Sequence, residues 1–358
     1  MLHSVILFAA ACAAQEAEVG VSVPVTVSGQ ILQTDRGLPD GSGRSSVTPG
    51  FRTVIYPSLK LGSHWFGYGA IQFNSTPYFY EQVGDYRLQR EVRASVLQAY
   101  IGYSRIAKGK GITIKAGQLT SAFGSFALRY DDAQNWLIDL PVNYGYYYQP
   151  VAVTGLPGAE VDVSLGKLDA RVQLTNSAPA NPRKLWQSDQ YPVWTVGAGF
   201  TPRQELRIGF SAYRGPYLDR NHRFFFRGEA APRELPATAA GIDVQFARGR
   251  WNVNGELQRF QFPYIAIPYF FNTSGYAEAK FRAGPRWYLA GRAGRRSRTA
   301  NLGVDDSFEA VAGFHLKPRH LLKAGYQIQR GPFTRGVRDN VIGVQYVFTF
   351  DALQAALR

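Results

Sequence analysis

Eleven charged side chains carry the first chemical signal in this sequence. Arg129, Asp131, Asp132 and Asp139 follow Gly117-Gln118-Leu119 within one irregular stretch, while Lys115, Arg171, Arg207, Lys280, Arg282, Arg292 and Lys323 are spread along the chain. The seven spread bases sit where polar residues alternate with apolar ones, so each occupies the polar face of an extended segment. Loop carboxylates set opposite such a wall of cations would create a field across the intervening water, and a field of that kind sorts small ions by charge. Tyr144, Tyr146, Tyr147 and Tyr148 close the same stretch. The plainer alternative makes Asp131-Asp132 a solvated turn and packs the tyrosines at a rim.

Other chemistry is thinly represented. Beyond residue 14 the histidines are His64, His222, His315 and His320, and three of these fall at tight turns. His222 beside Asp219 is the one candidate for acid–base catalysis, so a hydrolase is the weaker reading. The spacings that hold a metal or cradle a phosphate are missing, and no cofactor is expected. Arg220, His222, Arg223, Arg227 and Arg233 around Phe224-Phe225-Phe226 form a basic loop that fits an external lid or a cap over anionic lipopolysaccharide.

These side chains must be positioned by strands. The 358 residues hold 37 Gly, 23 Phe and 21 Tyr against one Cys and one Met, a composition of sheets and turns. Period-two alternation recurs from Val19 to Phe350 and resolves into sixteen segments. Seven tight turns alternate with eight long connections, at 34–48, 77–90, 120–148, 177–191, 215–236, 262–272, 297–305 and 331–337. Regular long–short alternation with both ends on the short side describes an all-β, antiparallel transmembrane barrel of about sixteen strands. The mean hydropathy of −0.20 fits such a barrel, because only alternate residues face lipid. Trp65, Trp251 and Trp287 fall just after tight turns, and Tyr103, Phe200, Phe246, Phe281 and Phe314 lie near strand ends leading into them. Aromatics in phase with the turns form an interfacial girdle, which puts the apolar face outward. Stretch 120–148 is too long for a plain connection and is expected to fold into the lumen and narrow it.

Residues 1–14 read as a secretory signal, with an apolar run from Val5 and cleavage near Ala13 or Ala14. The barrel then covers 15–350, and 351–358 form a short tail. The net charge of +14 comes from dispersed Lys and Arg, so it marks loop ends and an inner wall rather than a nucleic-acid surface. Basic residues slightly outnumber acidic ones at the inward positions, which favours a weak anion preference.

Gly117-Gln118-Leu119 with Phe123-Gly124, and Leu97-Gln98-Ala99-Tyr100-Ile101 upstream, resemble the bacterial phosphate-selective porin family. The resemblance implies a sixteen-stranded channel, commonly a homotrimer; joined to the barrel reading and the charged inner wall, it gives an outer-membrane passage for small hydrophilic or anionic solutes, with membrane lipids and lipopolysaccharide as partners. It does not carry over a phosphate site, because the family's basic ladder cannot be matched residue by residue. Asp351 to Arg358 beyond the last aromatic also depart from the pattern. A closed structural or adhesin barrel, its inward charges paired into a plug, is the main alternative.

Overall fold

The computed structural model describes residues 19–35, 46–80, 91–144, 155–176, 192–216, 236–262, 270–299, 303–331 and 339–356. Residues 1–14, expected to be a signal, Tyr146 to Tyr148 and the stretch 219–233 with His222 lie outside the described residues.

The first stave has two parts, β1 (Val19–Ser22) and β2 (Pro24–Thr34), and the second has two more, β3 (Ser46–Ile55) and β4 (Ser58–Leu61). The second stave breaks at Tyr56-Pro57, where proline has no N–H to offer a ladder. There follow β5 (Trp65–Thr76), β6 (Glu91–Ala107), β7 (Lys110–Leu119), β8 (Leu156–Leu165), β9 (Leu168–Thr175), β10 (Val193–Arg203) and β11 (Leu206–Pro216). The set is completed by β12 (Pro236–Arg248), β13 (Trp251–Phe262), β14 (Phe270–Arg282), β15 (Trp287–Arg298), β16 (Val304–Lys317), β17 (His320–Arg330) and β18 (Asp339–Asp351). Neighbours along the chain pair antiparallel, and β18 returns to β2 with Val341 opposite Thr34 and Asp351 opposite Pro24. The sheet is therefore a closed barrel of sixteen staves. Closure gives every strand two partners, which the hydrocarbon core requires because it offers no water to an unpaired edge.

Parity decides the two faces. On β18, Ile342, Val344 and Tyr346 are exposed, while Val341, Gln345 and Val347, which alternate with them, are buried. Trp65, Trp251 and Trp287 are each about half exposed on the outside. Each packs on its cross-strand partner, Tyr103 at 5.3 Å, Phe281 at 4.8 Å and Phe314 at 4.5 Å between ring centroids. This is the aromatic girdle at the short-turn end, so the apolar side faces membrane and the polar side faces inward. The barrel is built to span a membrane. In bilayer, its exposed apolar face needs no cover.

The chain beyond the last aromatic has a structural use. Asp351 accepts hydrogen bonds from the amides of Leu353 and Gln354, 3.0 and 3.3 Å, and from Ser22 Oγ at 2.9 Å. One carboxylate thus starts the short helix α1 (Ala352–Ala356) and ties it to the first stave, satisfying amides a helix start leaves free.

Candidate functional site

The stretch after β7 does enter the barrel, and side chains of the inner wall hold it there. Gln173 on β9 donates to the Thr120 carbonyl at 2.6 Å and accepts from the Ala122 amide at 3.2 Å. Phe123 packs on Phe260 with centroids 5.2 Å apart, and the Gly124 amide donates to Ser211 Oγ at 3.3 Å. Glu256 on β13 accepts from the Ser125 amide and hydroxyl, 2.9 and 2.6 Å, and from the Tyr144 hydroxyl. The Gly-Gln-Leu and Phe-Gly steps are thus where the chain leaves the wall and settles on β11 and β13.

A short 3-10 turn, Phe126–Arg129, ends with Arg129 paired to Glu278 and donating to Tyr276 Oη at 2.8 Å. The next residues reach the opposite side. Arg52 on β3 donates to the Tyr130 carbonyl and to Asp132, both at 3.0 Å, and stacks over the Tyr130 ring at 4.3 Å. Tyr78 also donates to Asp132, at 2.8 Å, and Tyr56 donates to Asp131. The loop then returns along β15 to β17. Lys323 Nζ donates to the carbonyls of Asp132, Asn135 and Leu137 at 2.7, 2.9 and 3.1 Å. Arg292 donates to the Asp139 carbonyl at 2.8 Å and Asn135 Oδ1 at 3.1 Å, and Glu309 accepts from the amides of Ile138 and Asp139 at 2.8 and 3.1 Å. Gln327 donates to Asp139 Oδ2 at 3.0 Å. Burial pushes the Asp139 carboxyl above its ordinary range, and burial beside Glu256 does the same to the Tyr144 hydroxyl.

This placement divides the eleven charged residues singled out in the sequence. Arg292, Lys323, Asp132 and Asp139 are buried between loop and wall, where they fasten the loop; Asp132 meets Arg52 in direct contact rather than a base across water. Arg129 and Asp131 sit at the loop's partly exposed edge, with Leu128 and Gln134 exposed beside them. Lys280 lies over the rings of Tyr288 and Trp136, at 4.4 and 5.8 Å, and Arg282 is exposed near the short-turn mouth.

The remaining three occupy the wall the loop leaves uncovered. Lys115 on β7 donates to Glu160 and Asp162 on β8, 2.7 and 2.6 Å, and Arg171 on β9 donates to Asp162 at 2.7 Å. Arg207 on β11 spans Asp169 on β9, at 2.7 Å, and Asp243 on β12, at 3.0 Å. Its reach across β10 depends on Gly199, since a Cβ there would lie 2.2 Å from an Arg207 nitrogen and 2.4 Å from Asp169 Oδ2. The result is a lateral ladder of alternating donors and acceptors, three cations against four carboxylates. Arg52 and the inward rings Tyr56, Tyr68 and Tyr100 were not singled out from the sequence; their even spacing on inward parity was the available sign. Among the described residues no group of three His, Cys, Asp or Glu is placed to hold a metal.

A lumen narrowed by a loop fastened to its wall invites comparison with solved barrels. An anion-selective porin from Comamonas acidovorans superposes with a TM-score of 0.65 at 9% identity, covering 93% of this chain and 100% of that one. The fold is that of the outer-membrane porins. The outer membrane channel DcaP of Acinetobacter baumannii gives a TM-score of 0.62 at 11% identity over 94% of this chain and 99% of that one. OmpT, an outer membrane protein of Vibrio cholerae solved in a trimer form, gives 0.58 at 7% identity over 93% and 99%. No family model matches the sequence, and no curated protein matches it. The likeness to the porins therefore lies in fold, and the phosphate-selective family is not confirmed.

Proposed function

We propose that the chain is a passive diffusion channel for small hydrophilic solutes, anions among them. The observation that carries this reading is the half of the inner wall left open: partly exposed Lys115, Asp162, Arg171, Asp169 and Arg207 face the lumen while the outer wall is apolar. Water and charge inside a greasy cylinder need a continuous polar path, and a constriction along it sets size and ion preference. The basis for anion preference is narrower than the count of inward bases implies, because the open ladder is charge-compensated. It rests on Lys280 and Arg282 toward the short-turn mouth. Exposed Arg214 and Arg259 near the long-loop strand ends support contact with the phosphates of lipopolysaccharide, Arg295 there being paired with Asp306, and a homotrimer with an export signal at 1–14 completes the reading.

Planar-bilayer recording of the purified barrel in a salt gradient tests it. Discrete current steps are expected, with a small reversal potential of anion sign. Folded protein that yields no steps would establish the closed structural barrel instead.

Gly199→Ala supplies a second check. The atoms a new Cβ meets are the ends of flexible side chains, so the barrel should assemble normally while Arg207 is pushed off Asp169. A shifted reversal potential with unchanged folding is the expected result. An unchanged potential would show that the ladder's pairing does not shape the lumen field.

A further inference from the structure

The open half of the wall carries an aromatic feature outside the charge ladder, of which only the Tyr56 edge, bonded to Asp131, also fastens the loop. Tyr68 on β5 and Tyr100 on β6 face each other across a register pair, ring centroids 5.4 Å apart and planes 37° from parallel. Phe66 meets Tyr100 edge-on at 6.1 Å, and Tyr56 stands 6.3 Å from Tyr68. All four rings are half-buried on inward parity. Lys115 Nζ lies 5.9 Å over the Tyr100 ring, so the aromatic group runs directly into the start of the ladder.

Tyr56 and Tyr68 pack against Val54, Ala70 and Leu97, and the part of the four rings that stays exposed is unfavourable in lumen water until something flat and weakly polar covers it. Next to them, the ladder offers donors and acceptors in alternation on adjacent staves. Its three cations and four carboxylates give little net pull on either sign of charge. A small anion is repelled by the ring faces, a small hydrated cation gains little from them while Lys115 already lies over Tyr100, and a purely aliphatic solute would offer the ladder's charges no hydrogen bonds. A saturated sugar ring meets both demands, with polarised C–H groups on its face for the π-systems and hydroxyls at its edge for the carboxylates and guanidinium groups. We infer that Tyr68 and Tyr100, with the Lys115–Asp162–Arg171 end of the ladder, form a binding site for uncharged pyranose sugars on the wall of the passage. This rests on the channel reading.

The test is sugar-dependent block of single-channel current in a planar bilayer, comparing glucose with sorbitol. The two match closely in mass and hydroxyl content, but only glucose presents a closed ring with a stacking face. Saturable block by glucose and far weaker block by sorbitol is expected for the unaltered protein, an arm that depends on no variant folding. Tyr68→Ala with Tyr100→Ala should weaken the glucose block about threefold to tenfold, while Tyr68→Phe with Tyr100→Phe retains most of it. Equal block by the two solutes, no block by either, or an alanine pair that blocks like the native protein would overturn the site and leave the channel standing. A folded barrel that passes no current would remove channel and site together.

Discussion

Arg292→Met is expected to release the inserted loop from the wall and raise single-channel conductance without dismantling the barrel. Arg292 is almost fully buried, and it pairs with Glu278 at 2.8 Å while holding the Asp139 carbonyl and Asn135 Oδ1. Its NH1 group also lies 3.5 Å from Glu309. Methionine fills similar volume but offers none of these donors. Removing one partner from a buried pair leaves a desolvated carboxylate behind, at a cost of about 3–5 kcal/mol. Glu278 keeps Arg129 and is not stranded, whereas Glu309 holds only the amides of Ile138 and Asp139, which part from it as that segment lifts. The loss falls instead on the segment from Asn135 to Asp139. The staves keep their backbone ladders, so the loop opens as a local unit. Higher conductance together with new protease cleavage inside 130–144, at unchanged far-ultraviolet circular dichroism, would show this. Arg292→Lys should act more weakly, since it keeps the charge but loses the fork that reaches two groups at once. Native-like conductance and protease resistance in Arg292→Met would mean that Lys323 and Arg52 suffice to hold the loop.

How much of this could be read beforehand follows from what alternation encodes. Side-chain period fixes which face a residue occupies, and Trp65, Trp251 and Trp287 fix which face is outside, so the barrel and its sixteen staves were legible. The length of the connection after β7 was enough to place it in the lumen. Parity cannot say what an inward residue meets. Lys115 and Lys323 share the same inward parity, yet one borders the open passage and the other is sealed under the loop. The partners of the loop are distant in sequence; Asp132 is 80 residues from Arg52 and Lys323 is 191 from the Asp132 carbonyl it holds. No local pattern records contacts of that separation. The same limit explains the charge count, since bases counted singly from the sequence are neutralised by carboxylates on the next stave.

Gly117→Ala is expected to prevent assembly of the barrel, and the reason lies in backbone rather than side chains. Gly117 has φ +138°, a conformation that costs a residue with a Cβ about 1–3 kcal/mol. An added Cβ would also stand 2.3 Å from the Ala99 carbonyl oxygen and 2.7 Å from Tyr100 Cα on the neighbouring strand. A flexible side-chain end could swing aside, but here the obstacle is β6 itself, held in register by the Tyr100–Gly117 pairing. Relief would require β6 and β7 to separate just where the loop departs. Gly62, in the tight turn before β5, gives the control. It has φ +63°, but a Cβ there meets nothing within 4 Å, so Gly62→Ala carries the conformational cost alone. Refolding yield, read from the mobility shift between unheated and boiled samples on a denaturing gel, should stay close to native for Gly62→Ala and collapse for Gly117→Ala. If both variants assembled equally well, the approach of β6 would not be what confines this position to glycine, and the departure of the loop from β7 would need a different cause.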